Sequence, residues 1–145
     1  MVRSLLLIGL ACLGACGQPL PADVADYAST CIQLNAEEIP PDDSVPHGDF
    51  KSVYACHVSE EELASRIYPD GAVVVKAARR SGQDYPFLIA TARKVGGQWS
   101  WAEYTRNFPT ERFLKLPIAE AVCVNCHRKY EALDWIATPY EAGLE

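Results

Sequence analysis

Three runs in the middle of the chain have the length and side-chain pattern of β-strands. Ala72–Arg79 is nearly continuous in valine and alanine, interrupted by Lys76. Pro86–Arg93 carries Phe87, Leu88, Ile89 and Thr91. Gln98–Thr105 alternates, with Trp99, Trp101 and Glu103 on one face. Ser81-Gly82-Gln83-Asp84 and Gly96-Gly97 separate the runs, so the pattern predicts an antiparallel meander. Phe50–Val58 reads as a further short strand. Around these lie helical signals. Val24, Tyr27, Cys31 and Leu34 recur at helical spacing, predicting a helix over Ala22–Leu34. Ser59 with Glu62 fits a capping box that opens a helix to about Tyr68, before the turn Pro69-Asp70-Gly71. Glu37–Gly48, rich in proline and acid, is a loop. Pro117 suits the first turn of a last helix, whose Ile118, Ala121 and Val122 would pack inward. The fold class expected is α+β, mainly an antiparallel sheet with flanking helices.

The extreme N-terminus has a different pattern. Arg3 precedes an apolar run from Leu5 to Leu13, too short to span a bilayer. Leu13-Gly14-Ala15-Cys16 resembles a bacterial lipobox. That resemblance implies a signal peptide over 1–15, an acylated Cys16, a tether over 16–21 and one domain over 22–145. An ordinary signal peptide or a short anchor remains the alternative. Gly17 after the cysteine points, by the same sorting rules, to a lipid-anchored protein on the periplasmic side of the outer membrane. A net charge of −6 without a basic patch argues against nucleic acid as a partner.

The last helix changes the picture most. It carries Cys123-Val124-Asn125-Cys126-His127, the attachment signature of c-type haem. Both thiols would bond to the haem vinyl groups, and His127 would ligate the iron on the proximal side. On a helical turn, Cys123, Cys126 and His127 share one face. The single methionine is Met1, so a His/Met electron carrier is excluded. His47, in the loop and expected to be solvated, and His57 are the other histidines. If either reached the iron, the site would be a bis-histidine electron carrier. Of six cysteines, Cys12 leaves with the signal, Cys16 takes lipid, and Cys123 and Cys126 take haem. Cys31 and Cys56 remain, and in an oxidising compartment a disulfide between them is the simplest account. Buried thiols or a bridge to another chain are the alternatives.

A late haem motif behind β-strands resembles the cytochrome P-460 and cytochrome c′-beta family. Four stretches carry the likeness: Tyr68–Lys76, with its Pro-x-Gly turn and apolar strand ending in lysine; Lys94–Trp101, a glycine turn and aromatic strand; Cys123–His127; and Asp134-Trp135-Ile136-Ala137-Thr138. The resemblance implies one haem c, five-coordinate iron and often a homodimer. One branch oxidises hydroxylamine or reacts with nitric oxide and has a lysine bonded to the haem. The other binds gases such as nitric oxide without turnover. Lys76 is the position matching that lysine, although a lysine on a strand can equally face water at a sheet edge. As an enzyme, the protein would pass electrons to a partner cytochrome. As a binding module, it would scavenge or sense. Phe50, Phe87, Trp99, Trp101 and Phe108 are candidate distal walls, and Glu103 and Arg106 candidate hydrogen-bonding groups.

Overall fold

In the computed structural model, which describes residues 17–42, 47 and 49–142, each strand pairs with its neighbour in sequence. The strands β1 (Ile32–Gln33), β2 (Phe50–Cys56), β3 (Val73–Arg79), β4 (Leu88–Val95), β5 (Gln98–Thr105) and β6 (Leu114–Lys115) form one antiparallel sheet in chain order. The tight β4–β5 turn is possible because Gly96 and Gly97 take φ of 58° and 76°, the left-handed values such a hairpin needs. Among the described residues three short α-helices flank the sheet: α1 (Tyr27–Thr30), α2 (Glu60–Ala64) and α3 (Glu120–His127). The fold is therefore α+β.

Both faces of the sheet are covered, and each has its own core. One face buries Val73, Val75, Ile89 and Tyr104 beneath Val24 and Tyr27 of the N-terminal segment. The other buries Val53, Ala55, Val74 and Ala92 with Leu34, Leu63, Tyr68 and Ile136. A disulfide joins Cys31 to Cys56 and pins the end of α1 to the end of β2.

The helix expected over Ala22–Leu34 is broken into a 3-10 turn at Ala22–Val24 and the four-residue α1. Cys31 is already extended, and Ile32 and Gln33 pair with Ala55 and Tyr54. Strand pairing outweighs a helical pattern that Thr30 and Ile32 support poorly. The helix α2 starts with the expected capping box: Ser59 accepts from the Glu62 amide, and Glu62 accepts from the Ser59 amide at 2.8 Å. It stops at Ala64, short of Tyr68. Arg66 adopts φ 52°, and the Ile67 amide donates to the Glu62 carbonyl, the closing bond of a Schellman turn. Gln18 to Leu20, expected as part of a tether, lie along β6: the Lys115 amide donates to Gln18 and the Leu20 amide to Phe113. The lipobox, Cys16 included, lies outside the described residues. Among those described, no helix is long and apolar enough to cross a membrane.

Candidate haem site

Register across the sheet builds the floor of the site. Val53, Lys76, Ala90 and Glu103 stand opposite one another on four successive strands. The next rung is Ala55, Val74, Ala92 and Trp101. Alternation puts both rungs on one face. The alanines at the centre of each rung leave depth where larger residues would fill it. Above this floor lies a cavity of about 320 Å³, within the size range of ligand sites.

The helix α3 forms the opposite wall. Cys123, Cys126 and His127 all line the cavity, and both thiols are free of disulfide bonding and half-buried. Burial pushes the Cys123 thiol above its usual range. Ile118 and Val122, expected to pack inward, touch the cavity but are largely exposed, whereas Ile136 is buried at its edge. The Trp101 and His127 rings pack with centroids 4.2 Å apart, and the Trp101 amide donates to the Glu120 carboxylate at 2.7 Å. These contacts hold the helix against β5.

The turn after α3 orients His127. Its Nδ1 lies 2.9 Å from the Trp135 carbonyl, so Nδ1–H donates and Nε2 keeps its lone pair for a metal. That carbonyl is placed by two consecutive left-handed residues, Asp134 at φ 51° and Trp135 at φ 67°. The Asp134 carboxylate accepts from Trp99 Nε1 at 3.1 Å and from the Lys94 ammonium. The β4–β5 hairpin thus fixes the turn that fixes the imidazole. Burial lowers the His127 pKa, partly offset by the Trp135 hydrogen bond.

Lys76, Glu103 and His47 meet at the sheet. Burial holds Lys76 below the ordinary lysine range, and the Lys51 charge adds to this. Burial raises Glu103, while the charge of Lys76 opposes the shift. His47, expected to be solvated, instead lines the cavity with its side chain 16 % exposed and Nε2 3.2 Å from Glu103. Burial lowers its pKa from 6.5 to about 4, with Lys76, His127 and Lys51 contributing. Because the folded pKa lies below the unfolded one, the unfolded chain binds the extra proton first. His47 should thus cost stability as pH falls from 6.5 towards about 4. Urea titrations at pH 7 and pH 5 are expected to show the loss, on the order of 2 kcal/mol after allowing for solvent access, and His47→Gln to reduce it.

The other sequence candidates are elsewhere. Phe50 packs under Arg79 and Phe87 under Arg80, Phe108 is 61 % exposed, and Arg106 donates to the Pro86 and Pro109 carbonyls. Trp99 packs against Tyr68, next to the cavity but outside its lining. His57 lies 3.7 Å from Asp23 and does not line the cavity. Lys51 does line it, although no motif singles it out. Its signal in the sequence is alternation: it is two and four residues before the inward Val53 and Ala55.

The residues present fit a covalently held haem. Two thiols and an imidazole whose Nδ1 is held by the Trp135 carbonyl line one cavity with apolar walls, the donor set that a covalently attached haem would need. Among the described residues, no three His, Cys, Asp or Glu side chains cluster to hold a bare metal ion. Compared with models of known families and with curated proteins, the sequence finds no match.

Proposed function

We propose that this chain is a periplasmic c-type haem protein that binds or oxidises small nitrogen species, nitric oxide or hydroxylamine, in the manner of the cytochrome P-460 and c′-beta family. The observation that carries the reading is one cavity shared by Cys123, Cys126, His127 and Lys76. A bound haem would supply a redox-active iron able to take a small ligand. The chain's own residues do the rest. Cys123 and Cys126 anchor the ring, and His127 presents Nε2. Lys76 enters from the opposite wall. Burial lowers its pKa, which eases loss of the ammonium proton. Glu103 and His47, 3.2 Å apart on the cavity wall, would offer a pair able to hold a proton. A lipid on Cys16 would keep the domain at the membrane, within reach of a partner cytochrome, and a homodimer is consistent with the resemblance.

One observation favours a second reading. His47 faces the cavity, and its coordination would make the site six-coordinate and suited to electron transfer. The ferrous optical spectrum, recorded with intact mass for wild type and Lys76→Ala, separates these readings. A red-shifted Soret band lost in the variant is expected for the lysine-linked enzyme. A high-spin c-haem spectrum unchanged by the mutation leaves gas binding without a cross-link. A low-spin spectrum abolished by His47→Gln establishes the carrier.

A further inference from the structure

Attachment through α3 leaves one cavity residue without a task. Lys51 projects from β2 on the face that carries Val53 and the Lys76 rung. It is 4 % exposed, lines the cavity, and its Nζ has no hydrogen-bond partner among the described residues. Its backbone is satisfied separately: its amide and carbonyl bond to Ile39, and the carbonyl also accepts from Asn35. An ammonium taken out of water without an acceptor is costly, and natural chains seldom keep one unless an anion meets it. Other charges in the cavity do not relieve it. Glu103 is the sole carboxylate among the described lining residues, and it is engaged with His47. Lys76 and Lys129 add positive charge to the same walls. A second buried donor, Nε1 of the cavity-lining Trp101, has no acceptor among the described residues. Donors are thus in surplus and acceptors scarce.

We infer that Lys51 Nζ anchors an anion site in this cavity, built for an oxyanion of carboxylate type. Two sources share that chemistry: a carboxylate of the bound haem, or a small free anion such as formate. The inference deepens the haem reading and rests on it for the first source, but not for the second. A strong charge-assisted bond forms in either case, and Lys51 also offsets negative charge that Glu103 alone would repel.

The test uses the full chain matured with a haem-attachment system, as wild type, Lys51→Met and Lys51→Arg. Methionine keeps the length and apolar stem of the side chain, and arginine keeps the charge. Intact mass first reports whether haem is attached. Formate is then titrated anaerobically into the reduced protein by calorimetry, and the haem carboxylate bending band is followed by resonance Raman spectroscopy. Formate binding that weakens at least tenfold in Lys51→Met and returns in Lys51→Arg supports a free-anion site. No formate binding, with a carboxylate band that shifts in Lys51→Met but not in Lys51→Arg, supports a haem carboxylate at Lys51. An unchanged band together with unchanged or absent formate binding overturns the inference. If intact mass shows no haem, the haem reading has failed by itself. The formate titration alone then decides: binding lost in Lys51→Met supports the site, and no binding overturns it.

Discussion

In a Lys76→Ala background, protein carrying Cys123→Ser and Cys126→Ser together, produced beside a haem-attachment system, should release its haem to acidified acetone, whereas Lys76→Ala protein with both cysteines should retain it. Each single variant should keep one thioether and show a small shift of the α band. The thiols are one helical turn apart on the cavity side of α3, and no disulfide engages either. Serine preserves size and polarity at half-buried positions, so the cost to the isolated fold is small. The helix α3 contains no buried residue, while the sheet beneath it carries both cores. A ring bonded to the helix would therefore supply much of the apolar surface that α3 packs on. In the double variant, amide exchange should accelerate by about tenfold or more in α3 while β2 to β5 keep their protection. Haem retained by the double variant in the Lys76→Ala background, or equal protection of α3 with and without the two cysteines, would remove the basis for covalent attachment through this helix.

The parts of this molecule that were legible in the sequence are those decided locally. Glycine turns and valine-rich runs located β3, β4 and β5 because strand identity and hairpin chemistry are written within ten residues. Ser59 and Glu62 revealed α2 for the same reason. Its end was less visible, since Arg66 takes a left-handed conformation that its residue type does not advertise. The first helix is shorter than its apolar spacing suggests because that spacing also suits a chain that turns into a strand. Pairing of Ile32 with Ala55 is a long-range event. The site divides similarly. Cys123, Cys126 and His127 are a contiguous signature. The convergence of His47, Lys51, Lys76 and Glu103 depends on register across the sheet and on the placing of His47, distant in sequence from Lys76 and Glu103. Lys51 could have been suspected from alternation with Val53. His47 could not, because a proline-rich acidic loop reads as solvated until the surface beneath it is known.

Replacing both Cys31 and Cys56 by alanine should lower the unfolding free energy by about 3 kcal/mol and the midpoint temperature by on the order of 10 °C. The bond closes a segment with a sequence separation of 25, and the freedom returned to the unfolded chain sets the main term. Alanine avoids the buried hydroxyl that serine would leave beside Val73, since Cys56 is 2 % exposed. The loss should not be evenly spread. The helix α1 has four residues and β1 two, both too short to persist unaided. Val24 and Tyr27, which cap the core over Val73, Val75 and Ile89, depend on the same tie. The N-terminal segment should therefore fray first, seen as faster exchange at Tyr27 to Gln33 before the global transition. The cavity opens on the opposite face, lined by Val53, Val74 and Ala92, so the haem spectrum should stay unchanged at temperatures below the new midpoint. Urea unfolding with an unaltered midpoint would show that the bond adds nothing to stability. A spectrum that changes with the bond would show that the two faces are coupled through the sheet. The wild-type protein should match the variant's stability only after reduction; an oxidising compartment, which the proposed haem attachment at Cys123 and Cys126 and the proposed lipid on Cys16 also call for, would keep the bond formed.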